Sequence, residues 1–299
     1  MSVIRKLEAV MLSESQTEQF WRDGFLVAEN AVSNVQLDTL RRQLVDWIDE
    51  SRRHSEPFGP PTVDERPRFD MGADHTSDKP ALRRVNNPSE INQDYFEVMS
   101  DSAMVDMVAD LIGPNVKLHH CKINLKLPGA LTTVAYHQDF AYTPHTNNDI
   151  ITALLLLDDM TESNGCLTAV PGSHKGPVYS LFKGETFRGK VQARVAAEAE
   201  QKQSLITGTA GSVCLMHTRT LHGSEANRSD QPRGIYLCIY TSADAFPIAP
   251  NPMPSPQEGL IVRGEKSRVA RLIDAEIELP DQPKSTSFFT VIGQASTEV

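Results

Sequence analysis

The 299-residue chain is 39% hydrophobic and 23% charged, with 17 Gly and 19 Pro, a globular balance that excludes disordered and collagen-like sequence. A formal net charge of −10 with no clustering of Lys or Arg argues against nucleic acid as a partner and disfavours an anionic membrane surface. The length suits one large domain, or a core with appended helices, better than two full enzyme domains.

Residues 14–114 form the helical part of the chain. Phe20, Trp21 and Phe25 suggest an apolar face, and Gly24 to Val27 reads as a short strand or turn. Leu37, Leu40, Leu44 and Trp47 recur at three- and four-residue steps, which predicts a second helix with one buried face. Residues 52–94 change character: PFGPP is followed by charged and polar residues with few large apolar ones, which predicts a long irregular loop acting as a lid over a site. Tyr95 to Ile112 returns to helical spacing and stops at Gly113-Pro114.

From 115 to 243 the pattern switches to short β-type runs separated by turn residues: VKLHHCKINLKL, TTVAYHQDF, DIITALLLLDD, GCLTAV, QSLITG, GSVCLMH and GIYLCIYTS. That spacing predicts a barrel-like jelly roll. The extension over 244–299 is Pro-rich, then mixed, and RVARLIDAEIEL within it reads as a helix. Cys121, Cys166, Cys214 and Cys238 are far apart with no C-x-x-C, so buried reduced thiols in a cytoplasmic protein are expected. Arg5, Lys6 and Glu8 interrupt any apolar run near the start, so no secretion signal is expected there. The longest mainly apolar run, Ile150 to Leu157, is far too short to span a bilayer.

Dinucleotide, P-loop, nucleophile-elbow and H-E-x-x-H motifs are absent, which leaves the histidines to carry the chemistry. His137-Gln138-Asp139 lies in a β-type run, where positions i and i+2 share a face, so His137 and Asp139 project together. They form either a hydrogen-bonded pair or two ligands of a divalent metal. A third ligand from a distant strand would complete two His and one carboxylate, the open set suited to non-haem Fe(II). His217 and His222 are both candidates. Arg233 lies 11 positions after His222, and a guanidinium there could grip a carboxylate bidentately. A metal with open positions beside such a clamp is what a 2-oxo dicarboxylic acid needs.

Four ordered stretches, KINLKLPG (122–129), YHQD (136–139), LLLLDDMTESNGCLTAVPGSHKG (154–176) and LHGSEANRSDQPRG (221–234), resemble the phytanoyl-CoA dioxygenase (PhyH) family of Fe(II)/2-oxoglutarate oxygenases, which includes ectoine hydroxylase. The resemblance implies a double-stranded β-helix core with N-terminal packing helices, and Fe(II), 2-oxoglutarate and O2 as reactants. It implies that His137, Asp139 and His222 bind iron, that Arg233 and Ser224 hold the 5-carboxylate of 2-oxoglutarate, and that Asn124 contacts the co-substrate. His217 is then a packing residue, and Phe140, Tyr142, Lys122 and His120 are substrate-pocket candidates. Asp139 favours hydroxylation over halogenation, and the residues after it lack the tryptophan of the ectoine signature. A small-molecule substrate, oxidised at a C–H bond, is expected. Two other readings are a non-oxidative metalloenzyme on the same fold, which needs no Arg233, and a silent binder, which needs no intact triad.

Overall fold

The computed structural model describes residues 11–281 and 287–293; the Arg5–Glu8 stretch lies outside them. The helices begin and end where local chemistry dictates. Helix α1 (Glu14–Asp23) opens on a reciprocal capping box between Ser13 and Gln16 and closes at Gly24, which takes the left-handed conformation (φ 87°). A side chain at Gly24 would also collide with the His174 ring, whose Nδ1 would lie 2.4 Å from its Cβ. Strand β1 (Phe25–Ala28) follows. A second capping box, Ser33 with Gln36, starts helix α2 (Asn34–Ser51), which buries Leu37, Leu40, Leu44 and Trp47 as their spacing requires.

The segment 52–94 is not wholly irregular. Strands β2 (Phe69–Met71) and β3 (Leu82–Asn86) lie within it and extend the main sheet. The helical stretch after it is two elements, α3 (Gln93–Ser100) and α4 (Ala103–Ile112), separated at Asp101-Ser102, where the Ser102 hydroxyl donates to the Val98 carbonyl. The core strands are β4 (Val116–Lys126), β5 (Val134–His137), β6 (Ile150–Leu156) and β7 (Leu167–Ala169), followed by the small hairpin β8 (Phe182–Lys183) and β9 (Thr186–Phe187). Helix α5 (Ala193–Lys202) leads to β10 (Ser204–Ile206), β11 (Val213–His217), β12 (His222–Ser224) and β13 (Arg233–Ser242). Strand β14 (Ile261–Arg263) and the short helix α6 (Phe288–Gly293) complete the described elements.

The main sheet runs β1-β11-β6-β13-β4-β3-β2, with β14 also on β4; the second runs β10-β7-β12-β5, and the named pairings are antiparallel. The two sheets face each other as a jelly roll. Strand β6 shows why its sequence is an unbroken apolar run: Ile151, Ala153 and Leu155 face the helices, while Ile150, Leu154 and Leu156 face the space between the sheets. Helices therefore cover the outer face of the main sheet, and the inner face is left to build the site. Among the described residues no helix is long and apolar enough to cross a membrane, and all four cysteines are buried and unpaired.

RVARLIDAEIEL, read as a helix from sequence, is not one. The Arg271 guanidinium pairs with Asp149 and Asp244, and the amides of Arg271 and Ile273 donate to Asp244 and Thr146 carbonyls. These tertiary bonds replace the helical ones and lay the segment across the jelly roll.

Two buried histidines outside the candidate site bear on stability. Burial pushes the His145 imidazole down to about 4, and burial with His174 nearby pushes His217 down to about 3. Unfolded imidazoles take up a proton near 6.5 and these folded ones do not, so the folded state loses stability as the pH falls below 6.5. Each should contribute a loss of about 2 kcal/mol at pH 5 relative to neutral pH. Urea midpoints of the metal-free protein at the two pH values test this; equal midpoints would contradict it.

Candidate active site

His137 ends β5 and His222 opens β12, and the register sets them directly across from each other. Their ring centroids lie 4.3 Å apart. Each ring is oriented by its own backbone: Nδ1 of His137 donates to the Ala135 carbonyl and Nδ1 of His222 to the Thr220 carbonyl, both at 2.9 Å. With the proton on Nδ1, both Nε2 lone pairs face inward. Close approach of the strands depends on Gly223, where a Cβ would lie 2.8 Å from the Val134 carbonyl oxygen.

Asp139 lies two residues beyond the end of β5, at the start of a single 3-10 turn (Asp139–Ala141). Gln138 is still extended (φ −121°, ψ 128°), so Asp139 keeps the face of His137 although it is no longer on a strand. Its Oδ1 lies 3.5 Å from His137 Nε2 and 3.9 Å from His222 Nε2, while Oδ2 accepts a 2.6 Å hydrogen bond from the Thr152 hydroxyl. Thr152 is the one polar inward residue of β6. Gln138 points the other way and ties the loops together, donating to the Pro177 and Arg219 carbonyls and accepting from the Tyr179 amide.

The three ligand atoms lie within 4.8 Å of one another, and no other such cluster of His, Cys, Asp or Glu occurs among the described residues. Burial opposes ionisation of Asp139, but His222, His137 and Lys122 around it hold the carboxyl well below its usual range. Burial and His137 push His222 down to about 4. A carboxylate and two inward Nε2 lone pairs are a facial donor set for a divalent metal with positions left open.

Deeper between the sheets lies a second pocket, lined by Asn124, Lys126, Ser224 and Arg233 together with the three candidate ligands. Strand alternation aims Lys122, Asn124 and Lys126 inward, in register with Leu237, Ile235 and Arg233 of β13. Arg233 is buried, has no carboxylate within ion-pair distance among the described residues, and leaves Nε without a partner. Burial pushes its guanidinium down to about 10. Lys126 Nζ donates to the Ser224 hydroxyl at 2.8 Å and to the Glu225 carbonyl, and burial with Arg233 beside it pushes the ammonium down to about 6. A buried guanidinium beside a lysine, with no counter-charge, calls for an anion. Asp158 helps to place Arg233: it accepts the Gly234 amide at 2.8 Å, at the start of the same strand.

An outer cavity of about 420 Å³ opens in front of Asp139. His120, Lys122 and Tyr142 line it, as does Arg84 from β3. Phe140 does not: the turn after Asp139 rotates its ring into the apolar core between the sheets, packed with Ile150 and Leu154, and its amide bonds the Thr218 carbonyl. His217 packs near Phe20, Trp21 and His174, away from the site. Phe288 went unread in the sequence, since nothing local in the C-terminal extension points to it. Its ring stands 5.9 Å from that of His137 and 4.7 Å from the Arg84 guanidinium.

The fold and this arrangement define an Fe(II)/2-oxoglutarate-dependent dioxygenase. The family model described as "Phytanoyl-CoA dioxygenase (PhyH)" matches residues 20–235, and the chain belongs to that family. It is 36% identical over 203 residues to the probable alpha-ketoglutarate-dependent hypophosphite dioxygenase of Stutzerimonas stutzeri, covering 67% of this chain and 71% of the relative. It is 27% identical over 276 residues to the ectoine dioxygenase of Bordetella parapertussis, covering 85% and 81%. Among solved structures, EctD from S. alaskensis with bound Fe superposes with a TM-score of 0.63 at 20% identity, covering 91% of this chain and 89% of that one.

The Thr152–Asp139 bond gives a test of the site's construction. Thr152→Val removes the hydroxyl at nearly constant volume and should lower Fe(II) affinity about 10- to 100-fold by freeing the carboxylate. Anaerobic metal titration would show it; unchanged affinity would mean that Asp139 needs no support from β6.

Proposed function

We propose that the described residues act as one dioxygenase unit in which His137 Nε2, His222 Nε2 and Asp139 Oδ1 hold Fe(II). Arg233, Ser224 and Lys126 hold the 5-carboxylate of 2-oxoglutarate, with Asn124 beside it, and a small organic molecule in the outer cavity is oxidised at a C–H bond. The observation that carries this reading is the pairing of a three-ligand cluster with a buried guanidinium that has no carboxylate of its own. A hydrolytic or lyase metal centre has no use for that guanidinium, and a silent binder has no use for the intact triad. Four buried, unpaired thiols suit a cytoplasmic setting.

Iron with 2-oxoglutarate supplies the activation of O2 and the oxidising power, with succinate and CO2 as co-products. The chain's own residues supply position. The carbonyls of Ala135 and Thr220 fix the two imidazole tautomers, and Thr152 leaves one carboxylate oxygen free. Arg233 sets the depth to which a dicarboxylic acid enters, through charge-assisted hydrogen bonds away from the reacting end. Tyr142 and Phe288 pack at the mouth, with ring centroids 5.5 Å apart, and narrow the path for water.

The likeness to a hypophosphite dioxygenase favours a P–H bond as a second target at the same site. Succinate formation from 2-oxoglutarate under air, with hypophosphite or an organic panel as substrate, separates the two. Turnover should vanish with His222→Ala and on chelation, and return on adding Fe(II) to the wild type. Arg233→Ala should raise the 2-oxoglutarate concentration for half-maximal rate at least about tenfold, because it removes a contact remote from the reacting bond. An unchanged co-substrate response would remove Arg233 from the clamp.

A further inference from the structure

Arg84 and Lys122 line both the inner pocket and the outer cavity, and the proposed grip on the 5-carboxylate of 2-oxoglutarate does not use their charge. Arg84 is buried on β3, directly across from Asn124 and diagonal to Lys122. Its Nε donates to the neutral Asn124 Oδ1 at 3.0 Å, and its Nη2 is buried with no partner. The neighbouring acid, Asp70, is already engaged with Arg83 at 2.7 Å and with the Ser287 hydroxyl. Lys122 makes no ion pair among the described residues; Phe288 stands 5.9 Å from its ammonium. His120 bonds His119 through Nδ1 at 2.8 Å and leaves its buried Nε2 without a partner. Asp64 and Arg66, which also line the cavity, neutralise each other at 2.6 Å, and the remaining acid of the lining besides Asp139, Asp281, is exposed to solvent.

Charge accounting then leaves a remainder. A ferrous ion, the Asp139 carboxylate and the 1-carboxylate of 2-oxoglutarate cancel; the 5-carboxylate cancels Arg233. Burial with Arg233 beside it pushes the Lys126 ammonium down to about 6, so Lys126 adds no negative charge to offset the others. Arg84 and Lys122 remain uncompensated in the outer cavity, beside an imidazole nitrogen with nothing to bond. Two cations side by side in a buried pocket repel each other and lack the hydration they would have in water, a cost that an incoming anion relieves.

We propose that Arg84, Lys122 and His120 Nε2 form a substrate-binding oxyanion grip, so that the substrate is a small organic molecule with a phosphonate, phosphinate or carboxylate head. This rests on the dioxygenase reading above and adds the substrate's chemistry to it. The cavity also sets a size. At about 420 Å³ it has room for more than an inorganic anion, and its further walls are Ile239, Phe187, Met253 and prolines 250, 252 and 254. A charged head against Arg84 and a compact apolar body against those walls would present the body's bonds to the side of the cavity that Asp139 lines.

The test is calorimetry on anaerobic protein loaded with Fe(II) and 2-oxoglutarate, titrated with ethylphosphonate, propionate and 1-propanol. At least one of the two anions should bind at least tenfold more tightly than the alcohol, and the stronger of them identifies the head group. Arg84→Gln and Lys122→Met should each weaken that anion at least tenfold, whereas Arg84→Lys and Lys122→Arg should retain most of the binding, since charge rather than packing is at issue. Titration of the same variants with 2-oxoglutarate should show a smaller loss of affinity than that of the anion, although Arg84 bonds Asn124 in the inner pocket. Equal binding of alcohol and anions, or anion binding untouched by the variants, would overturn the grip. So would loss of 2-oxoglutarate rather than anion binding, which would assign these groups to the co-substrate. If the wild type takes up no 2-oxoglutarate, the dioxygenase reading itself fails, an outcome distinct from all of these.

Discussion

The antiparallel pairing of β5 with β12 sets His137 across from His222, and the rest of the site is arranged around that contact. Two imidazoles on neighbouring strands can present Nε2 to one point only if their planes are fixed. Backbone carbonyls two residues upstream of each ring fix them. The strands can approach closely only because residue 223 has no side chain. The carboxylate is added by leaving the strand: the turn at Asp139 follows an extended Gln138 and swings Oδ1 between the two rings while Thr152 of the opposite sheet pins Oδ2. The three donor atoms thus come from one sheet and the turn that follows it, and support comes from the other sheet, so the geometry depends on the jelly roll being closed.

A second constraint runs through the same interior. Charge is expensive to bury, and Arg233 and Arg84 are both buried without a carboxylate in reach among the described residues. Core packing alone would not favour this. The fold tolerates both because the main sheet is covered by helices on its outer face, with Leu40, Leu44 and Trp47 among the residues that pack there. The inner face is then free to carry polar residues on alternate positions of β4. Arg233 lies opposite Lys126, and Arg84 lies between Asn124 of β4 and Asp70 of β2, which is engaged with Arg83.

Much of this site was legible in the sequence because its spacing is local. His137 and Asp139 are two positions apart, as are His222 and Ser224, and extended alternation turns such spacings into a shared face, while Arg233 follows closely and opens the next strand, in the other sheet. The two main helices were legible for a similar reason, since capping residues and an apolar stripe lie within one element. What stayed hidden depends on tertiary placement. Arg84 lies on a strand whose charged residues look like those of an exposed loop, and only the sheet reveals that this side chain is buried. Phe288 reaches the site from the C-terminal extension, with no periodicity to announce it. Phe140 was misread because adjacency to Asp139 in the sequence does not carry its ring to the cavity, and the turn there packs it between the sheets. Residues 268–279 were misread because ion pairs to distant aspartates outweigh helical propensity there.

The central claim is that one cluster, His137, Asp139 and His222, binds iron in a form that 2-oxoglutarate can chelate. The most direct measurement is the visible spectrum of anaerobic, Fe(II)-loaded protein on adding 2-oxoglutarate, in the wild type and in Asp139→Ala. The account requires the weak metal-to-ligand charge-transfer band of the chelate in the wild type and its loss in the variant. A folded, iron-loaded wild type that gives no band would contradict it.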